Sequence, residues 1–316
     1  LLDNFNKDFI FICSLGTSYR TSFLNSQLIV WKLFIIWITF CITISCAFVL
    51  NTVVYLMYQT LFMTITEDTV RPLIFPLWLP TGDDPYRSPN YEMFFVFEIL
   101  GTALIPTAFA VYTYNLFHLL LHVYNLMDVM IKAISELFLG LNPDVADLPA
   151  RNPERQITQA ILKTKIKQIV KWHKSVYKYM STISSIYGPV LVYQVMFSAI
   201  AICVMAIQIA NALDKGKIDF LFCMLESAAL LQLWITCYIG TMIRNKAFAV
   251  GDACYNSGWE NSKFGCWLRS DIVLIIMRSQ IPVSIKFPLL PQIELETFSS
   301  ITSTSYSYFN MLRRAT

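Results

Sequence analysis

The chain has 316 residues, of which 56% are apolar and only 14% charged, with a mean hydropathy of +0.53. That composition lies outside the soluble globular range and makes a membrane protein the default class. The net charge of +3 is small and gives no support to a nucleic-acid partner. The eight cysteines fall singly with no CxxC pair, so they read as buried apolar residues rather than redox centres or metal ligands. Leu1 stands where Met would open a reading frame and no signal peptide follows, so residues ahead of it are expected to be missing and any span count is a lower bound.

In chain order, apolar stretches long enough to cross about 30 Å of hydrocarbon run over 28–60, 91–127, 180–211, 219–243 and 296–313. An all-α, multi-spanning helical membrane protein with five spans is predicted. The first three exceed the minimum of about 20 residues and must tilt or project beyond the bilayer. The loop 67–90 carries Pro72, Pro76, Pro80, Pro85 and Pro89, which exclude a helix, and it is either a structured lid or a linker. Phe75 and Trp78 would anchor it on the rest of the protein or at headgroup level.

Between 156 and 180, Ile157, Ile161, Ile166, Ile169, Val176 and Met180 recur near helical spacing, while Lys163, Lys165, Lys167, Lys171, Lys174 and Lys178 fill the other faces. Continuous with the span that follows, this helix would measure on the order of 80 Å, far more than a bilayer needs. Either the surplus packs against something inside the cell, or the lysines bind anionic lipid. A second cytoplasmic helix is predicted over 268–280, with Leu268, Ile272, Ile275, Ile276 and Ser279 on one face and Pro282 as its stop. Leu268, Ile272, Ile275 and Ile276 are expected to lie in a cytosolic contact between subunits. The last span is rich in Ser, Thr and Tyr from Glu296 to Arg313, which suits water inside an assembly better than lipid.

The basic residues set the orientation. Of the 24 Lys and Arg, 18 fall in 1–32, 128–179 and 244–295, against four in 61–90 and 211–219. The first three regions are therefore read as cytoplasmic, which leaves the C-terminus outside and Arg313 and Arg314 as exceptions to the rule.

Chemistry-bearing patterns are few. His118 and His122 share one helix face at i, i+4, but no HExxH or cysteine partner supports a metal, and a packing role is favoured. No GxSxG, Walker glycine loop or GxGxxG occurs, which argues against an enzyme. Glu98 and Glu226 sit inside apolar runs, either in an outer cavity or in a hydrogen bond between helices. Phe94, Phe97, Gly101 and Ile105 share a face with Glu98 and would wall a small apolar cavity, or equally meet lipid or another helix. In the last span Ser300, Thr304, Ser307 and Met311 form one stripe, either lining a pore or packing through small residues.

Ser305-Tyr306-Ser307-Tyr308-Phe309-Asn310-Met311-Leu312-Arg313 resembles the closing SYSYF-x-x-L-R signature of insect odorant receptors. Phe287-Pro288-Leu289, then Leu295-Glu296-Thr297-Phe298, resemble the stretch before that family's last span. Met277-Arg278-Ser279-Gln280 resembles its MRAQ-type helix end. Tyr255, Ser257 and Trp259 resemble its Y-x-S-x-W element, and Phe75-Pro76-Leu77-Trp78-Leu79-Pro80 resembles its FPxWxP loop. The resemblance implies the seven-span insect chemoreceptor fold, of which this chain holds about the last five spans, with a cytosolic helical anchor. Its implied divisions are 1–155, spans three and four with an extracellular lid loop at 61–90; 156–250, the long cytosolic and membrane helix and the sixth span; 251–295, the anchor region; and 296–316, the pore-lining last span.

The same resemblance implies a tuning subunit of a ligand-gated cation channel, without cofactor or metal, in the plasma membrane of olfactory sensory neurons. Its partners would be the co-receptor Orco in a heterotetramer, a small volatile odorant and membrane lipid. The short inner loop at 140–155 departs from the co-receptor's long insertion, and Arg313 and Arg314 depart from the TY-x5-QF ending of the sister gustatory receptors. Carried onto this sequence, the odorant pocket falls on Ala47, Leu50, Val54, Tyr58, Phe94, Phe97, Glu98, Gly101, Ile105, Ser227, Leu231 and Trp234. The pore falls on Ser300, Thr304, Ser307, Met311, Arg314 and Ala315. A gustatory-type homomeric channel and a membrane transporter are the rival readings.

Overall fold

The computed structural model describes residues 2–14, 16–62, 71–75, 86–218, 220–281, 283–285 and 292–315. Trp78, the loop from Pro76 through Pro85, and Phe287-Pro288-Leu289 lie outside the described residues. Regular structure among the described residues is entirely helical: α1 Leu2–Ser14, α2 Thr17–Phe62, α3 Asn90–Ser135, a 3-10 turn Pro143–Asp147, α4 Pro153–Asp214, α5 Phe220–Tyr255, α6 Gly265–Ser279 and α7 Leu295–Ala315. Helix α1 was not legible as an element. It is parted from α2 by Gly16, whose φ of +141° is a conformation that side chains rarely allow.

Among the described residues, α2, α3, α4 and α5 are long and apolar enough to cross a membrane. Helix α2 holds neither Gly nor Pro from Thr17 to Phe62, so its many β-branched residues stay helical where hydrocarbon leaves the backbone no other donors or acceptors. Only 6% of its most apolar stretch is buried within the chain, so the apolar side chains point outward. The predicted fifth span is the 21-residue α7, too polar to join that set. Helix α4 is continuous over 62 residues, so the predicted cytosolic helix and third span are one element.

The described residues group into two units. The first comprises 1–28, 117–203 and 229–316. Its core joins Leu120, Val123, Met127 and Met130 of α3, Leu162, Ile166, Ile169, Trp172, Val176 and Ile183 of α4, Leu233, Cys237, Ile243 and Val250 of α5, and Leu268, Ile272 and Ile275 of α6. Two expectations are corrected here. Ile157 and Ile161 are exposed, because the buried stripe of α4 begins at Leu162, the residue after Ile161. Leu268, Ile272 and Ile275 lie in the chain's own core and so do not form a contact between subunits, while Ile276 is half-buried.

Polar ties complete this unit. The Tyr179 hydroxyl donates to Asp8 at 2.6 Å and the Tyr19 hydroxyl to Glu136 at 2.6 Å, which fixes α1 and the start of α2 against α3 and α4. Lys263 pairs with Asp147, and that carboxylate holds the exposed ammonium above its usual range. Arg155 stacks over the Trp267 ring at 5.3 Å, so α4 and α6 meet through a cation–π contact.

The second unit comprises 29–116 and 204–228. Its centre is an apolar cluster of Ile44, Phe48 and Ile74, packed by Phe40, Val49, Phe95, Leu221, Met224, Leu225 and Ala228. The segment 71–75 thus feeds Ile74 into a core otherwise built by α2, α3 and α5.

Candidate functional site

Glu98 is the one predicted pocket residue that the second unit buries, and its contacts explain why. Its Oε2 accepts the backbone N–H of Ile74 at 2.8 Å and of Phe75 at 3.5 Å. The Tyr91 hydroxyl donates to the Pro72 carbonyl at 3.1 Å, and Arg71 pairs with Glu92 at 3.3 Å while lying over the Tyr91 ring. About two turns of α3 therefore staple the segment 71–75. The second oxygen of Glu98, Oε1, is buried without a hydrogen-bond partner among the described residues, as is Oε2 of Glu226.

The remaining pocket candidates are placed as follows. On α2, Ala47 is half-buried and Leu50, Val54 and Tyr58 are exposed, while Ile44, Phe48 and Thr52, spaced by four, face the core. The inward face is thus turned about a third of a revolution from the predicted one. On α3, Phe94 and Gly101 are half-buried, and Phe97 and Ile105 are each 72% exposed. A Cβ at Gly101 would meet only Ile105 Cδ1 at 3.9 Å, so the position borders open space. Ser227 is exposed in the second unit, whereas Leu231 and Trp234 belong to the first and are each 40% exposed.

The last helix has two faces. Ser305 is buried on one of them, and its hydroxyl donates to the Ala199 carbonyl of α4 at 3.2 Å; Thr297 is buried too, in the first turn. Ser300, Thr304, Ser307, Met311 and Arg314 are exposed on the other side, and Ser307, Asn310, Met311 and Arg314 border one open groove. The side chain of Ala315 lies outside the described residues. The Thr304 hydroxyl donates to the Ser300 carbonyl at 2.7 Å and that of Ser307 to the Ser303 carbonyl at 3.0 Å. With their protons turned back onto the helix, both oxygens present lone pairs outward.

Sequence reasoning missed what positions this helix. Gly240 of α5 lies directly under the Ile293 carbonyl, so close that a Cβ there would sit 1.9 Å from the oxygen. Next to it Thr241 Oγ1 accepts the Leu295 N–H at 2.9 Å, and Arg244 pairs with the buried Glu294. Three residues spaced over one turn of α5 thereby fix the start of α7. The available signal was a lone glycine inside an apolar helix, which marks a close backbone approach. His122 packs rather than ligates: Phe5 stacks on its ring at 3.8 Å and Phe23 meets it edge-on.

Long outward-facing apolar helices and a shorter polar one seated on them define a multi-span helical membrane protein. The profile described as 7tm Odorant receptor matches residues 18–306, so the chain belongs to the odorant receptor family of insects. It is 30% identical over 146 residues to odorant receptor 67c of Drosophila melanogaster, covering 46% of this chain and 35% of that one. It is 27% identical over 244 residues to odorant receptor 13a of the same species, covering 71% and 53%. Similarity to odorant receptor Or2 of Anopheles gambiae is 23% over 250 residues, covering 77% and 61%. The chain thus spans about half the length of these relatives. Among solved structures, the olfactory receptor OR5 from Machilis hrabei in complex with eugenol aligns with a TM-score of 0.67 at 17% identity, over 99% of this chain and 70% of that one. The ligand-free OR5 structure gives 0.69 at 18% identity, over 95% and 68%. The family sets the chain among receptors rather than enzymes.

Proposed function

We propose that this chain is the odorant-sensing subunit of a ligand-gated, non-selective cation channel, working with the co-receptor Orco in a heterotetramer. The observation that carries the reading is the family match over 18–306 together with the exposed, hydroxyl-bearing face of α7. In the assembly, Ser300, Thr304 and Ser307 turn oxygen lone pairs toward a water-filled axis, and Met311 supplies an apolar constriction that closes by dewetting. Arg314 and Ala315 stand at the outer end. A fixed positive charge there opposes cations, so one such subunit among co-receptors suits the function better than four.

The ligand is a small volatile molecule held in the outer half of the membrane, and of the candidates named above Ala47, Phe94, Glu98 and Gly101 of the second unit, the ones not turned outward, carry the reading. Glu98 contributes by holding the 71–75 segment over that half. The extracellular C-terminus, the cytosolic placement of 1–32, 128–179 and 244–295, and the plasma membrane of olfactory neurons belong to the same reading, as do the implied divisions of the chain. The test is odour-evoked current from the full receptor expressed with and without the co-receptor. Current that requires both chains is expected. Current from this chain alone would instead mark a homomeric, gustatory-type channel, and substrate flux without conductance a transporter.

A further inference from the structure

The part of α4 that precedes its span carries a one-sided basic face that neither the ligand site nor the pore uses. Between Glu154 and Asp214 the helix has no carboxylate. Lys163, Lys167, Lys171, Lys174 and Lys178 are all exposed, and with 3.6 residues per turn they fall within an arc of about 80°. The buried residues Leu162, Ile166, Ile169, Trp172, Val176 and Met180 lie on the opposite side, so core packing holds the arc outward. None of the five lysines takes part in an ion pair among the described residues. A second helix adds to the face. Arg278 of α6 lies over the Tyr177 ring at 4.2 Å, and the Tyr177 hydroxyl donates to the Arg278 carbonyl at 2.9 Å. Tyr177 sits about 40° outside the arc, so Arg278 flanks it.

The arc runs into the apolar stretch of the same helix. At 1.5 Å per residue, Lys174 and Lys171 lie about 6 and 10 Å from Lys178 along the axis, and Lys167 and Lys163 about 16 and 22 Å. The field of an inner leaflet beginning near residue 180 decays over a Debye length of about 8 Å, so it is strongest at Lys178, falls off through Lys174 and Lys171, and is weakest at Lys167 and Lys163. Three ammonium groups and a guanidinium, unpaired with carboxylates among the described residues and spread over about 10 Å of helix, match several phosphates on one projecting headgroup better than the single charge of a simple anionic lipid.

We propose that Lys171, Lys174 and Lys178, with Arg278 at their flank, bind the polyphosphorylated inositol headgroup of an inner-leaflet lipid. This rests on the cytosolic placement of residues 128–179 given above. The test uses the purified receptor–co-receptor complex in phosphatidylcholine nanodiscs, titrated with a fluorescent short-chain phosphatidylinositol bisphosphate. Each lysine near the surface contributes roughly fivefold in affinity, so K171Q/K174Q/K178Q is expected to weaken binding about a hundredfold, and K163Q/K167Q by less than about threefold. Wild-type affinity in the triple variant would overturn the proposal. So would equal losses in both variants, which would mean diffuse charge attraction. Unchanged lipid binding with loss of co-purifying co-receptor would assign the face to a protein partner and overturn it too. Topology is read separately: K174C in intact cells should not react with a membrane-impermeant thiol reagent above the level of the parent chain. Reaction from outside would sink the cytosolic placement and the lipid site together, whereas no reaction with unchanged affinity in the triple variant sinks the lipid site alone.

Discussion

Substituting Gly240 by alanine tests how α7 is held. A Cβ there would sit 1.9 Å from the Ile293 carbonyl oxygen, so the Ile293 backbone must withdraw by more than about 1 Å to reach the roughly 3.3 Å that carbon and oxygen tolerate. Such overpacking costs about 1–3 kcal/mol. The same shift stretches the bond from the Leu295 N–H to Thr241, worth about 1 kcal/mol. It also pulls on the ion pair between Arg244 and Glu294, whose carboxylate side chain is only 6% exposed. A partial loss there adds to the sum, because a buried charge left unpaired costs about 3–5 kcal/mol. A total near 3 kcal/mol lowers the melting temperature by about 4–5 °C in a chain of this size. The measurement is thermal unfolding of detergent-solubilised receptor followed by fluorescence size-exclusion, beside the resting current of the channel. Lower melting temperature and altered resting current are expected. G240A with wild-type melting and wild-type current would refute the idea that this crossing sets the position of α7.

Glu98→Ala should cost about 1–3 kcal/mol by leaving the Ile74 and Phe75 amides without their acceptor, whereas Glu98→Gln keeps an acceptor oxygen; protease nicking near residue 75 should rise only in the first. Ile275→Asp buries an unpaired charge in the chain's own core, so it should abolish expression of the isolated subunit, not merely its co-purification with a partner. Gly101→Trp projects into open space beside Ile105 and should abolish the odorant response with assembly intact; an unchanged dose–response curve in a correctly trafficked variant removes Gly101 from the pocket. Met311→Cys, in complex with the co-receptor, should react with a small thiol reagent applied from outside and alter the current. If it is inert while Leu312→Cys reacts, the pore-facing side of α7 has been assigned to the wrong residues.

The helices were legible where lipid dictates them. Runs such as 28–60 and 219–243 have to be helical in hydrocarbon, and the continuity of α4 followed from apolar spacing that never breaks between Ile166 and Met180. The rotation of each helix was not legible. In a soluble helix the polar residues mark the outer face, but α2 is apolar all round, so nothing in the sequence separates Phe48, which faces the core, from Leu50, which does not. Glu98 was visible as an intramembrane acid, yet its partners are two backbone amides, and amides carry no residue-type signal. Helix α1 was missed because Asn4, Asn6, Lys7 and Asp8 dilute its apolar pattern; among the described side chains, Phe5 and Ile12 carry it into the core. For α6 the apolar face was read correctly and its neighbour wrongly, since a stripe records that it is covered and not by which chain.

The polarity of α7 is the step that connects fold to function. Its buried side needs little: Ser305 reaches one carbonyl of α4. Its far side presents hydroxyl oxygens, an arginine and a methionine, with Tyr306 and Tyr308 also exposed. Facing hydrocarbon, these groups would be costly, and a polar residue in a membrane chain is normally turned to a protein neighbour or to water. Lone pairs without protons to donate suit a cation or a water column better than they suit packing against a second carbonyl-rich surface. On the proposed reading, copies of α7 from other subunits, set around a common axis, give that face an aqueous neighbour inside the membrane. The polarity of the short helix is what the proposed assembly accounts for, and in it the Gly240, Thr241 and Arg244 seat on α5 would hold α7 at a fixed angle.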